Sequence, residues 1–416
     1  MKKILIVGAG TGGIMTAARL VKDKNLDVSI IDPAEYHYYQ PAWTLVGADA
    51  YDYEKTKRKM SAVMPAGVNW IKEFVAKVDP DKNNLETKSG QVLDYDYLIL
   101  SPGIKIDTSL IEGLQEAIDK GVVCSNYTDP KHTWEVLRNF KGGNAVFTQP
   151  TTPIKCGGAP QKIAYLAADY FKKNGLADKT NVVFATPGSV IFGVKEIKQT
   201  LEQVIARYGI HFKPFYAPVK IDAENQIITF KHVQAGENQC VLNENADLGE
   251  RASGESFIEM PFDMLHLAPP QAAPDFIRES GLGNEGGWID VDIHTMQHNK
   301  YPNIFGLGDA AALPTAKTGA AIRKQVPVVV DNIQKLIKSD KIGSLSYNGY
   351  SSCPLVTGYG KMVLAEFDYD GNFTPDPKLK QMLIKDSSKE HLRLWWLKKY
   401  ILPRLYWNKM LKGVDV

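Results

Sequence analysis

The chain has 416 residues, 44% hydrophobic and 23% charged, an ordinary globular composition long enough for two or three domains and unlike a disordered, collagenous or coiled-coil chain. Its 49 Lys/Arg against 47 Asp/Glu leave a net charge of +2, without the basic surplus of a dedicated nucleic-acid binder. No apolar run reaches the roughly 18 residues of a membrane span, four cysteines cannot staple a chain of this size, and the apolar residues 4–7 are too few for the hydrophobic region of a signal peptide, so no export is expected.

Ile4-Leu5-Ile6-Val7 is a β-branched run predicted as a buried parallel strand. Gly8-Ala9-Gly10-Thr11-Gly12-Gly13 follows at once, and residues 14–21 read as a helix with Ala and Leu on one face. Strand, GxGxxG and helix in that order form the dinucleotide-binding fingerprint. Gly8 permits the tight turn, Gly10 lets backbone approach a pyrophosphate, and Gly13 lets the helix pack on the strand. A second strand, residues 28–31, ends in Asp32, 19 residues after Gly13, where a carboxylate can bond a ribose hydroxyl. A glycine turn before any helix is the bland alternative, and the motif does not separate FAD from NAD.

Residues 97–100 form another buried strand, closed by Ser101-Pro102-Gly103. Residues 181–185 read as the first strand of a second α/β unit. The turn after it, Thr186-Pro187-Gly188-Ser189-Val190-Ile191-Phe192-Gly193, lacks the fingerprint and sets bulky side chains where a pyrophosphate needs close backbone. Nicotinamide binding is therefore expected to be lost. Residues 233–258 are polar and read as a long hairpin connection. Residues 263–267 resume an apolar strand, and residues 303–305 another, ending in Gly306-Leu307-Gly308-Asp309. Thr318-Gly319-Ala320-Ala321 then opens a helix. The segments around Ser101 and Asp309 resemble motifs of flavoproteins with two dinucleotide folds, which implies FAD, held by Gly8, Gly10, Gly13, Asp32, Ser101, Pro102, Gly103, Gly308, Asp309, Gly319 and Ala320. The dipole of the helix opened at Gly319 would favour negative charge on a reduced flavin. Asp309 has a plainer role open to it as an N-cap.

Cys156 and Cys353 both lie between Gly and Pro residues, on expected loops. Cys156 precedes a predicted helix, whose N-terminus lowers a thiol pKa, although an isolated cysteine is commonly a small buried hydrophobe. Pro153-Ile154-Lys155-Cys156-Gly157-Gly158-Ala159-Pro160-Gln161-Lys162 and Ser352-Cys353-Pro354-Leu355-Val356-Thr357-Gly358-Tyr359 resemble sulfide:quinone oxidoreductases, in particular the mitochondrial-like branch, and the resemblance runs nearly end to end. It implies a redox pair, Cys156 and Cys353, facing FAD. Sulfide would leave a persulfide on one cysteine, two electrons would pass through FAD to a quinone, and the sulfane sulfur would go to a thiol, sulfite or polysulfide. Some bacterial relatives carry a third cysteine near Cys124, linked to the flavin or assisting turnover; a cysteine after Val122-Val123 is equally a strand-core residue. Cys240 reads as incidental. Lys317, at the flavin-facing helix, is a candidate for stabilising anionic flavin. Tyr359, Lys361 and Phe367 are candidates for the quinone side. His266 and His294 have no partner at ligand spacing, and no metal is expected.

Residues 389–416 hold seven Lys/Arg against Glu390 and Asp415, and three of the seven tryptophans. Pro403 should divide them into two short helices, with the composition of an interfacial anchor; a helix pair docked on the core is the alternative. The expected architecture is thus α/β, with two Rossmann-like domains and a C-terminal amphipathic membrane-anchoring segment. Residues 1–105 and 263–345 would form the FAD domain, 106–262 the second domain, 346–388 the region of the second redox cysteine and 389–416 the anchor. The expected location is the cytoplasmic face of a bacterial inner membrane, as a peripheral protein, with a homo-oligomer left open. A type II NADH dehydrogenase, the flavin subunit of a cytochrome-linked sulfide dehydrogenase and a non-enzymatic flavin-bearing interaction protein are the rival assignments.

Overall fold

Short β-branched runs make the buried strands and Ala/Leu-faced segments the helices that cover them. A computed structural model describes residues 1–234 and 245–415; Cys240 lies outside the described residues. The first unit contains β1 (Lys2–Val7), α1 (Thr11–Leu20), β2 (Leu26–Ile31), β3 (Asn69–Ile71) and β4 (Tyr97–Leu100). Ile4, Ile6, Ile30, Leu98 and Ile99 are buried at its centre, each such side chain contributing about 1.5–3 kcal/mol.

The second unit contains β5 (Val123–Cys124), β6 (Gly143–Thr148), α2 (Ala159–Lys173), β7 (Thr180–Ala185), α3 (Lys195–Tyr208), β8 (His211–Lys213) and β9 (Met264–Leu267). The chain then returns to the first sheet with β10 (Ile304–Gly306), followed by α4 (Gly319–Ser339). Both sheets are parallel, in the orders β10-β4-β1-β2-β3 and β5-β9-β6-β7-β8.

Superposing the two orders corrects two expectations. In the first sheet β1 lies between β2 and β4; in the second, β6 lies between β7 and β9. The opening strand of the second unit is therefore Gly143–Thr148, not residues 181–185. The turn that corresponds to GxGxxG is residues 149–158, Gln-Pro-Thr-Thr-Pro-Ile-Lys-Cys-Gly-Gly, which reaches its first glycine only at Gly157. The fingerprint is missing there too, and β7 ends in Ala185-Thr186 with no acid. The cysteine loop thus occupies the position of a phosphate-binding turn. The second correction is the boundary placed at 262/263: β9 pairs with β5 and β6, so the second unit extends through Leu267. A ribbon of Lys105–Ile106 against Gln271–Ala272 ties the two crossings between units. The connection expected over residues 233–258 joins Ile227–His232 to Phe257–Pro261, which pair antiparallel; residues 235–244 of it lie outside the described residues.

Strands β11 (Ser351–Gly358) and β12 (Lys361–Phe367) form an antiparallel hairpin that packs on α2. Cys353 is therefore a buried strand residue, not a loop residue as expected. The tail also departs from expectation. Helix α5 (Leu392–Trp396), a π turn (Leu397–Ile401) and α6 (Leu402–Asn408) run on without a break. Pro403 sits in the first turn of α6, where a missing N–H costs least, and the wide π turn before it takes up the ring. Trp395 and Trp407 face inward, whereas Leu392, Trp396, Tyr400 and Ile401 are 40–52% exposed. Among the described residues no helix is long and apolar enough to cross a membrane.

Candidate functional site

Four of the residues expected to hold a dinucleotide stand at the carboxyl edge of the first sheet, where open α/β sheets bind ligands. Gly8 follows β1, Asp32 follows β2, Ser101 follows β4 and Gly308 follows β10. A Cβ on Gly8 would lie 2.3 Å from the Ser101 carbonyl oxygen, and one on Gly13 only 1.8 Å from the Gly8 carbonyl oxygen. These two glycines close the turn against its neighbours. A Cβ on Gly10, Gly103 or Gly319 would meet nothing within 4 Å. Gly10 also caps α1 without a side-chain bond, so no N-cap side chain competes for the first N–H groups of that helix, the groups a pyrophosphate uses. Asp32 accepts from the Ala9 N–H (2.6 Å) and the Ala34 N–H (2.8 Å), so it also shapes the turn.

Gly308, Asp309, Thr315, Lys317, Thr318 and Gln325 line a small cavity beside the start of α4. Gln325 accepts from the Gly308 N–H (2.9 Å), and Thr318 caps α4 through the Ala321 N–H (3.1 Å). Burial raises the Asp309 pKa against the pull of Lys155 and Lys317. Burial also lowers Lys317 to about 8. Its ammonium donates to the Ala311 carbonyl (3.0 Å) and lies 4.1 Å from the Trp288 ring centroid.

The second unit carries its cysteine loop to this place. The Cys156 N–H donates to the Lys317 carbonyl (2.7 Å), and Tyr127 Oη donates to the Cys156 carbonyl (3.2 Å). Lys155 Nζ donates to Gln40 Oε1 (2.6 Å). Cys156 holds a left-handed φ of 53°, a conformation that costs a β-substituted residue on the order of 1 kcal/mol. Cys353 arrives on β11: Gly158 has no room for a side chain because Cys353 Sγ and Leu355 Cδ2 would each lie 2.6 Å from its Cβ. Ser351, two residues before Cys353, shares a 2.9 Å hydroxyl–hydroxyl bond with Thr318. Both cysteines therefore meet at the N-terminus of α4, the segment expected to face a flavin.

The pair is electrostatically unequal. A hydrogen bond from the Cys353 thiol, then the Lys162 ammonium 3.0 Å from Cys156 Sγ, overcome burial and hold Cys156 well below the ordinary thiol range. Cys353, donating that bond and buried, is pushed well above it. Lys162 is 1% exposed, one turn into α2. Burial opposes its charge, but the two sulfurs more than compensate and keep it protonated. A second buried ammonium comes from the tail. Lys398 donates to the Pro41 carbonyl (3.1 Å). Burial and repulsion from Lys162 lower it to about 7, against the attraction of the two cysteines.

The comparisons with known proteins decide the family. The pyridine nucleotide-disulphide oxidoreductase model matches residues 2–334. The mitochondrial sulfide:quinone oxidoreductase of Mus musculus is 40% identical, covering 99% of this chain and 86% of its own. The chain belongs to the sulfide:quinone oxidoreductase family. The mitochondrial member from Dictyostelium discoideum is 37% identical over 99% of this chain and 86% of its own. The sulfide:quinone oxidoreductase structure from Aquifex aeolicus shares the fold, with a TM-score of 0.79 at 20% identity, covering 100% of this chain and 92% of that one.

Set against this family, the structure sorts the remaining candidates. Cys124 is buried in β5, its thiol donates to the Leu265 carbonyl (3.5 Å), and burial raises its pKa to about 12. Those are the properties of a strand-core cysteine. Tyr359, Lys361 and Phe367 do not form one site. Gly358 pairs with Lys361 at one end of the hairpin and Ser351 with Phe367 at the other, a strand's length of about 20 Å. Tyr359 donates to the Ala48 carbonyl (2.7 Å) and lies 6.4 Å from the Trp395 ring, whereas Phe367 packs on Phe192.

Lys162 and Lys398 were missed from sequence. Lys162 had a signal: it stands six residues from Cys156, directly before the apolar run Ile163-Ala164-Tyr165-Leu166-Ala167. Lys398 had none, because its composition fits a solvated cation among aromatic residues.

Proposed function

We propose that this protein oxidises sulfide and delivers the electron pair to a membrane quinone, with FAD held in the first unit. The observation that carries the reading is the Cys156–Cys353 pair, seated with the buried Lys162 ammonium against the start of α4. The uncapped start of α1, the open space at Gly10 and Gly319, and Asp309 in the adjoining cavity fit FAD. Bound FAD supplies a two-electron acceptor that a quinone can reoxidise.

From the bridged state of the cysteines, HS⁻ attacks Cys353 Sγ. The bond between the two cysteine sulfurs breaks, a new sulfur–sulfur bond forms as a Cys353 persulfide, and Cys156 leaves as a thiolate. Lys162 favours this direction because it stabilises negative charge on Cys156, and a stabilised thiolate is the better leaving group. Lys162 and the protonated fraction of Lys398 also draw an anionic substrate to the site. The outer persulfide sulfur passes to a small acceptor, a thiol, sulfite or polysulfide. The cysteines bridge again once the Cys156 thiolate gives up its electron pair, for which FAD, when bound, would be the two-electron acceptor. Lys155 and Lys317, flanking Asp309, supply positive charge at the cofactor end.

Anaerobic mixing tests the reading. Sulfide bleaches the flavin within the mixing experiment and a short-chain quinone restores its colour, whereas NADH, which finds neither glycine turn nor ribose acid in the second unit, leaves it oxidised. Rapid bleaching by NADH alone would overturn the assignment.

The tail supports a membrane surface. Its inner face docks on the core, and Leu392, Trp396, Tyr400 and Ile401 stay exposed beside Arg393 and the 71%-exposed Leu383. Aromatic rings flanked by cations suit the headgroup region. The bacterial inner membrane expected from sequence has no support from the relatives compared, which include mitochondrial proteins, so the proposal extends only to a membrane surface. Replacing both Trp396 and Tyr400 by serine is expected to weaken co-sedimentation with anionic vesicles at least about tenfold and to leave sulfide-driven flavin bleaching intact. Unchanged vesicle binding sinks the anchor.

A further inference from the structure

The second half of the tail reaches the opposite end of the cofactor site. Tyr406 and Trp407 of α6 are buried, and Tyr406 stands 395 residues along the chain from Thr11 of the fingerprint, which it touches. Tyr406 Oη lies 2.8 Å from Thr11 Oγ1, in the first turn of α1, and 2.5 Å from His37 Nε2. His37, on the short strand Tyr36–Tyr38 and 3% exposed, places Nδ1 3.0 Å from the Ala9 carbonyl oxygen. A carbonyl only accepts, so Nδ1 carries the proton, Nε2 accepts from the Tyr406 hydroxyl, and that oxygen accepts from Thr11. Burial, partly offset by the Ala9 bond, lowers the His37 pKa to about 4, which keeps the ring neutral as this tautomer requires.

The relay grips the turn at its sensitive point. The Ala9 peptide is held on both sides, its N–H by Asp32 and its carbonyl by His37. The next residue is Gly10, the glycine with open space before it. Packing around the relay is close: the Tyr39 ring lies 4.6 Å from the Tyr406 ring, Trp407 lies 5.8 Å from His37, and the Arg58 guanidinium lies 4.9 Å from the Trp407 ring. Farther on, Gly413 passes so near α1 that a Cβ would lie 2.9 Å from Arg19 Cγ.

We propose that Tyr406 and His37 are positioning residues of the cofactor site, a relay by which the C-terminal tail holds the pyrophosphate turn in its binding shape. The proposal rests on the reading that the first unit binds FAD. The tail then serves both ends of the site, Lys398 at the cysteines and Tyr406 at the turn.

The test uses the full-length holoprotein, with FAD identified by mass and its release followed by the rise in free-flavin fluorescence. Tyr406→Phe and His37→Leu are each expected to release FAD about five- to tenfold faster, the effect of losing one buried hydrogen bond. The double variant is expected to release it no faster than the worse single, because both cut one relay. The apoprotein melting temperature should move less than that of the holoprotein. Release within twofold of the parent in both variants, or an equal fall in apo and holo melting temperature, overturns the proposal. A parent protein purified without FAD would instead overturn the cofactor reading on which it rests.

Discussion

Replacing Cys156 or Cys353 by serine is expected to abolish sulfide-driven quinone reduction, with a loss of at least about a thousandfold. Each cysteine has a distinct role, so neither substitutes for the other. On the proposed mechanism Cys353 receives the sulfur and Cys156 departs as the thiolate whose electrons leave the site. Serine is close in size and does not support sulfur–sulfur exchange at either position. FAD content and the folded spectrum should stay at parental levels, because neither cysteine is among the residues that shape the dinucleotide turn. Cys124→Ala is the matched control. Its thiol sits in the strand core, bonded to the Leu265 carbonyl and close to the Thr133 hydroxyl, so turnover is expected within about twofold of the parent, with a stability cost of about 1 kcal/mol from a lost weak bond and a small cavity. Turnover retained in either redox-pair variant would remove the mechanism; turnover lost in Cys124→Ala would return that residue to the chemistry.

The second large effect is expected at Lys162→Met. Methionine fills a similar volume without charge. The ammonium lies 3.0 Å from Cys156 Sγ, and an opposite charge at that range moves a pKa by about 1–3 units. The sign follows from which form reacts. The thiolate is the competent species and exists above its pKa, so a lowered pKa extends the working range toward acid. Removing Lys162 raises the Cys156 pKa and closes that range from the acid side. The acid limb of the pH profile for sulfide-driven flavin bleaching should move up by at least about one unit, and the rate at pH 7 should fall by roughly 10- to 100-fold. An unmoved acid limb would show that Cys156 does not depend on Lys162. The substitution also removes the Lys162 charge that repels Lys398, which relieves one of the two causes holding it at about 7. The variant therefore bears on both lysines, and the limb that moves identifies the thiol.

Much of this molecule was legible locally. The fingerprint Gly8–Gly13, the acid at Asp32, and the strand ends at Ser101 and Gly308 are short-range patterns, each set by one strand and the turn that follows it. The loop cysteine carried its own signal through the glycines and proline around it. The absence of a nicotinamide fingerprint was also readable, although on the wrong turn. Which strand opens the second unit depends on β9 pairing beside β6, a contact between residues more than a hundred positions apart that no local pattern reports.

The family was readable in the residues alone, and so were the candidate dinucleotide turn and the candidate redox cysteines, because glycine geometry and thiol chemistry belong to individual residues and their neighbours. Which lysines stand buried beside the cysteines emerges only from packing. Lys162 is a buried charge and Lys398 a buried amine held at about 7, and a buried charge is tolerable only beside a compensating one. The compensating sulfurs of Lys398 stand on a loop and a strand far from it in the chain. The tail shows the same division. Its composition announces an aromatic, cationic surface, yet only packing separates Trp396 and Tyr400, which face out, from Lys398 and Tyr406, which close the two ends of the site.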